Sequence, residues 1–201
     1  MNKQTLSSLF EGKIFRVPDY QRGYAWEEKQ WKDFIEDIDA LVTDGRISSH
    51  YTGTVVTYKP QKSKVTYNLE EAEIVDVVDG QQRLTTVSLF LSEIIRTLVT
   101  NGKKDYERKV EDFLHDKSMT KLKLNNDTSD IFIELIKEGE SRQLAKTVHQ
   151  ERLCLAVEYF RFYIQKQLKD PNRGIIHIEK LFKAITGKMM FTITQLKKNV
   201  K

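Results

Sequence analysis

The chain has 201 residues, a mass of 23.6 kDa and a formal net charge of +4, which suits one domain or two small ones sharing an interface. Its 39% apolar content, 10% aromatics and three prolines exclude a disordered, fibrous or low-complexity chain. No run approaches the ~18 apolar residues of a membrane span, the opening MNKQTLSSLFEGK lacks the apolar stretch of a signal peptide, and the single cysteine, Cys154, excludes an internal disulfide and a cysteine-rich zinc site.

Residues 5–11 read as a short helix and 14–17 as a strand stopped by Pro18. From Glu27 the period becomes helical, with Trp31, Phe34, Ile35, Ile38, Leu41 and Val42 at i, i+3, i+4, i+7, i+10 and i+11. Glu27 and Glu28 suit the positive end of that helix, and Asp44-Gly45 ends it. The stretch 51–59 (YTGTVVTYK) is β-branched and aromatic and reads as a strand. Residues 60–72 read as a loop or hairpin, and 73–78 (EIVDVV) as a second strand broken at Asp79-Gly80. A helix follows, with Leu84, Val87, Leu91, Ile94, Ile95 and Leu98 on one face.

Beyond Asn101-Gly102 the pattern is mainly helical, over 104–116, 128–138, 141–169 and 175–186. Leu144, Val148, Leu155, Tyr159, Phe160, Tyr163 and Ile164 form a stripe on the longest of these and read as core. Residues 121–124 read as a short extended piece and 189–194 (MMFTIT) as a closing strand. A boundary near residue 100 divides an α+β region from a mainly helical one.

Charge divides there too. Residues 1–100 carry 12 basic and 15 acidic side chains, a net −3, whereas 101–201 carry 21 and 14, a net +7. The basic half can face phosphates or be a solvated, lysine-rich helix surface.

Two clusters carry chemistry. The first, Pro18-Asp19-Tyr20-Gln21-Arg22-Gly23-Tyr24-Ala25-Trp26, precedes a helix start. Its rings and guanidinium can stack a base or hold a phosphate, or its aromatics can pin the loop to the core. The second, Asp79-Gly80-Gln81-Gln82-Arg83, lies at a strand-to-helix turn. Gly80 permits an unusual dihedral or a close backbone approach. The amides of the first helical turn are unpaired and favour an anion. Arg83 can add a forked phosphate contact, and Asp79 can cap the helix, hold Mg²⁺ through water or orient an attacking water. The plainer alternative is an N-cap with surface glutamines.

Other signals are absent or misleading. Gly12-Lys13, Gly102-Lys103 and Gly187-Lys188 lack the upstream glycine of a P-loop. His50, His115, His149 and His177 form no metal-ligating pair. Pro18-Asp19 with Glu27-x-Lys29 matches the PD…ExK pattern of metal-dependent nucleases, but that pattern needs its ExK on a strand, and here it opens a helix. Cys154 sits in a helical stripe as a small hydrophobe.

PDYQRGYAW resembles the P-x-Y-Q-R-x-Y-x-W element of the N-terminal domain of GmrSD-type restriction systems, and DGQQRLTT resembles the same family's hallmark motif. YTGTVVTYK is similar to the strand between them, and KLKLNNDTSD to a later segment. The likeness covers most of residues 5–195. It implies a ParB/sulfiredoxin-like fold, a small mixed sheet with flanking helices followed by a helical subdomain, in a bacterial defence system of the type IV restriction kind. It also implies that the domain binds and hydrolyses a nucleoside triphosphate with Mg²⁺ or a similar divalent cation. DNA cleavage would belong to a separate HNH-type domain or subunit.

On that resemblance Asp79, Gly80, Gln81, Gln82 and Arg83 form the nucleotide site, with Asp79 and Arg83 catalytic and Asp79 the metal ligand. Gln21 and Arg22 approach from the first loop, and Tyr24 and Trp26 shape the pocket. The family continues into an F-E-x-x-N-x-R-G-like segment, so the chain is expected to be part of a longer protein. A ParB-like DNA-binding module without NTPase activity is the alternative, and a reducing cytoplasm the expected setting.

Overall fold

Seven strands and seven α-helices make a mixed α+β fold, seen in a computed structural model that describes residues 3–141 and 143–196. The strands are β1 (Lys3–Thr5), β2 (Lys13–Arg16), β3 (His50–Tyr58), β4 (Lys64–Tyr67), β5 (Glu70–Asp79), β6 (Leu122–Lys123) and β7 (Met189–Leu196). The helices are α1 (Leu6–Phe10), α2 (Glu28–Thr43), α3 (Gln81–Thr100), α4 (Arg108–Phe113), α5 (Ser129–Glu138), α6 (Val148–Lys169) and α7 (Gly174–Gly187).

The sheet runs β1-β7-β3-β5-β2-β6, with β4 paired to the first half of β5. Strand β5 is parallel to β2 and antiparallel to β3, and β3 is parallel to β7. Two of the seven strands, β6 and β7, thus come from beyond residue 100, and the sheet is larger than the one expected within the first hundred residues. The segment 60–72 is a hairpin, turning at Asn68 and Leu69, both at positive φ (47° and 66°). That conformation at two successive positions is the primed turn that suits the twist of paired strands.

Helix α2 buries the expected stripe of Trp31, Phe34, Ile35, Ile38 and Leu41. Its start is fixed by a capping box, in which the side chains of Glu27 and Gln30 each accept from the other's backbone amide. Phe34, Phe90 and Phe160, from α2, α3 and α6, meet edge-on or tilted at 5.0–6.4 Å between centroids.

Helix α3 departs from the expected one-sided pattern. Nearly its whole circumference is buried, because it lies among the sheet and helices α5, α6 and α7. Two of its hidden hydroxyls are satisfied locally, Thr85 Oγ1 donating to the Gln81 carbonyl at 2.8 Å and Ser92 Oγ to that of Leu89 at 2.8 Å, whereas Ser88 Oγ has no partner among the described residues. Glu93, 2% exposed, is held by two guanidiniums. Arg96 pairs with it from the same helix, and Arg161 Nε donates to it from α6 at 2.9 Å. Both arginines also donate to the end of α5, Arg96 to the Ile136 carbonyl at 3.2 Å and Arg161 to that of Gly139. Free carbonyls at a helix C-terminus are thereby satisfied.

Two predicted helices change. The segment 104–116 divides into a 3₁₀ turn at Lys104–Tyr106 and the short α4, since Tyr106 and Phe113 both dock edge-on against Phe182 of α7. Residues 143–147 are not helical. Thr147, whose hydroxyl accepts from the Gln150 amide at 3.3 Å, caps α6 and sets its start. Leu144, expected in the core, is 87% exposed, and Val148 and Leu155 are exposed too. The buried face of α6 is Leu153, Ala156, Val157, Phe160 and Ile164. Cys154 is half-buried. The main core draws residues from α1 through β7 and so spans both sides of residue 100. Among the described residues no helix is long and apolar enough to cross a membrane.

Candidate functional site

The parallel pair β2 and β5 points both carboxyl ends the same way. After β2 the chain enters the loop 17–27, and after β5 it turns through Gly80 into α3. Open sheets place ligand crevices at such carboxyl ends. Here a cleft of about 230 Å³ lies between the two, lined by Gln21, Arg22 and Trp26 on one side and by Val78, Asp79, Gly80, Gln81, Gln82 and Arg83 on the other.

The turn is built by Gly80, at φ +97°. A Cβ there would sit 3.2 Å from the Thr54 carbonyl oxygen, so the position demands glycine for both its dihedral and its space. Asp79 Oδ1 accepts from the Gly80 amide at 2.8 Å. The first intrahelical bond runs from the Leu84 amide to the Gly80 carbonyl at 3.1 Å. The amides of Gln81, Gln82 and Arg83 therefore precede the helical ladder, and they carry the positive end of a 20-residue helix.

The glutamines do something the sequence did not reveal. Gln81 Nε2 donates to the Arg22 carbonyl at 3.1 Å and Gln82 Nε2 to that of Gly23 at 3.1 Å. Gln82 Oε1 accepts from the Ala25 amide at 2.7 Å. Gln21 Nε2 donates back to the Val78 carbonyl at 3.0 Å. These four bonds lash the loop to the end of β5 and the start of α3, and Arg22 and Arg83 line the same cleft. Arg83 Nη1 donates to the Thr54 carbonyl at 3.2 Å and lies over Gly53, where a Cβ would come within 2.9 Å of Arg83 Cζ. Of the arginines described, Arg22, Arg83 and Arg108 form no ion pair, and two of these three are in the cleft.

The aromatic residues of the loop separate. Trp26 lines the cleft and Tyr20 is exposed outside it. Tyr24 is buried in the core, 3% exposed, and burial pushes its hydroxyl above the ordinary range. Trp31 Nε1 donates to the Tyr24 hydroxyl at 2.8 Å, which bonds Thr86 Oγ1 at 2.8 Å, which donates to the Gln82 carbonyl at 2.9 Å. Tyr24→Phe breaks this chain and leaves a buried indole N–H unpaired. A stability loss of about 1–3 kcal/mol is expected in urea denaturation.

Several supporting residues carried no local signal. Asn125 Nδ2 donates to the Gln21 carbonyl at 2.8 Å, and Asn126 donates twice to Asp19 at 3.0 Å. His149 Nδ1 meets the Tyr24 carbonyl at 2.9 Å and fills the space beside Gly23, where a Cβ would lie 2.5 Å from its ring. The KLKLNNDTSD segment supplies the asparagines, so its likeness to a family segment was the available clue.

The fold and cleft define an α+β domain with an anion-suited turn facing the loop 17–27 across a narrow crevice. The family model of the GmrSD restriction endonuclease N-terminal domain matches residues 6–201, and the chain belongs to that family. No curated protein matches the chain. Family membership makes it a component of the restriction endonuclease class.

Proposed function

We propose that the cleft binds a nucleoside triphosphate through its phosphates and that the domain regulates the DNA endonuclease of a GmrSD-like phage-defence system. The observation that carries this reading is the pair of unpaired guanidiniums, Arg22 and Arg83, beside three free amides of the α3 N-terminus. Guanidinium forks and helix N-termini both select phosphate oxygens. At about 230 Å³ the cleft is below the ~300–1,000 Å³ of sites that enclose whole small molecules. It takes the phosphate chain, and the base lies against Trp26 toward the outside.

Asp79 is the only carboxylate lining the cleft among the described residues. No group of three or more His, Cys, Asp or Glu is placed to hold a metal among them. A divalent cation would fit this donor set only with the Asp79 carboxylate, water and the nucleotide's own oxygens as ligands, which is how Mg²⁺ is commonly held at phosphates. When bound it would neutralise charge on the β- and γ-phosphates. In hydrolysis Asp79 orients the attacking water and Arg83 offsets charge on the transferring phosphoryl group. DNA and an HNH-type nuclease domain or subunit are the partners this reading requires, in the cytoplasm.

Calorimetric titration with ATP, GTP, CTP and UTP, with and without Mg²⁺, tests the reading. Saturable binding of at least one nucleotide, tighter with Mg²⁺, is expected. Absence of heat with all four would overturn it and favour the ParB-like DNA-binding alternative. That alternative predicts duplex binding whose log–log salt slope is about −0.9 per phosphate neutralised.

A further inference from the structure

Helix α6 carries apolar side chains on two faces. The inner face holds Leu153, Val157, Phe160 and Ile164 in the core. The outer face carries Val148, Leu155 and Phe162, 57%, 46% and 71% exposed. These three are spaced by seven residues, the interval that keeps an apolar seam turned toward a second helix. Singly exposed apolar residues need no account, but three repeated at one interval along a helix do.

The charges on this face are ordered as well. Glu151 and Glu158 lie in its N-terminal half, Lys166 and Lys169 at its C-terminal end, all exposed. None of the four has an ion-pair partner among the described residues. Beside Leu155 is a groove of about 460 Å³, floored by Trp31 and Tyr159 and bordered by Glu28 and Glu158.

The hydrophobic spacing and the Glu151–Lys166 pair of this pattern complement themselves when reversed. With a twofold axis between Glu158 and Tyr159, Leu155 of one copy meets Phe162 of the other, and Glu151 meets Lys166. Val148 then lies along the aliphatic stem of Lys169. A parallel pairing would set Glu151 against Glu151 and Lys166 against Lys166, which repels. We propose that α6 is the seam of an antiparallel twofold dimer of this chain, packed through Val148, Leu155 and Phe162 and oriented by Glu151 and Lys166. One helix per copy gives an interface at the small end of the range, below about 1,200 Å², where association is weak and reversible.

Sedimentation equilibrium of the full chain from micromolar to millimolar concentration tests this. A monomer–dimer equilibrium is expected. Phe162→Glu should weaken it at least about tenfold, since each interface loses two buried rings. Its melting temperature should hold, because the side chain is exposed in the monomer. Glu151→Lys and Lys166→Glu should each weaken the dimer about three- to tenfold at low salt. The double variant should restore it, which only a reversed pairing of like copies predicts. A chain that stays monomeric at millimolar concentration overturns the proposal and leaves the face to a segment outside the described residues or to another protein. A dimer indifferent to Phe162→Glu, or a charge swap that fails to restore association, overturns it equally.

Discussion

Replacing Arg83 by alanine is expected to weaken nucleotide binding about ten- to a hundredfold while leaving thermal stability nearly unchanged. A charge-assisted contact between guanidinium and phosphate is worth about 1.5–3 kcal/mol, and each 1.4 kcal/mol is about a factor of ten in affinity. The same side chain contributes little to the fold. Its recorded hydrogen bond, to the Thr54 carbonyl, is 3.2 Å long and part-buried, and it has no ion pair. Arg83→Lys keeps the charge and loses the planar fork, so it should recover only part of the affinity. Gly53→Ala approaches the same result from behind. The added methyl enters the space of the Arg83 guanidinium, at 2.9 Å from Cζ, and must displace it. Calorimetric dissociation constants for the three variants decide the matter. Unchanged affinity in Arg83→Ala would remove the phosphate from this cleft.

The largest stability effect is expected at Glu93, far from the cleft. Glu93→Ala should cost about 3 kcal/mol in urea denaturation, toward the low end for a broken buried charge network because both arginines are partly exposed. Removing the carboxylate leaves Arg96 and Arg161 facing each other without a counter-charge. It also loosens their hold on the carbonyls that end α5. A typical domain holds only about 5–15 kcal/mol of stability in all, so the midpoint should move visibly. Glu93→Gln, which keeps the shape and removes the charge, should lose most of the same energy. A loss under about 1 kcal/mol in both variants would mean that water replaces the carboxylate at the two guanidiniums.

The legible parts of the fold were those whose burial is one-sided. Helix α2 shows this well, because each of Trp31, Phe34, Ile35, Ile38 and Leu41 faces the core. Helix α3 is legible as a helix but not in its burial on nearly all sides. Thr85, Ser88, Ser92 and Glu93 look like a solvent face in sequence and are buried. Two of the three hydroxyls bond their own helix backbone, and Glu93 answers to Arg161, 68 residues away. In α6 two apolar stripes share one helix, and a period alone does not say which faces inward. The three residues of β1 are too few to show an alternation.

At the cleft, the Asp79–Gly80 turn was legible because a backbone conformation selects its residue. The pairing of Gln81 and Gln82 with the carbonyls of residues 22 and 23 was not, since it spans 59 residues. Gly53 and His149 were hidden for a similar reason: what each one matters to is a side chain or backbone atom on a distant segment.

The order of the strands has a further consequence for how this molecule meets its neighbours. The two ends of the main strand order are its shortest members, three residues in β1 and two in β6, and the four-residue β4 pairs with β5 off that order. A flank that short offers another chain almost no row of free amides and carbonyls to zip onto, which is a recognised safeguard against fibre growth. Of the longer strands, the ten-residue β5 pairs with β4 and β3 as well as with β2, and the nine-residue β3 pairs with β7 along its length and with β5 at Val56–Tyr58. Sheet extension at these two short flanks is thus disfavoured among the described strands, and helices and loops are the easier route to assembly.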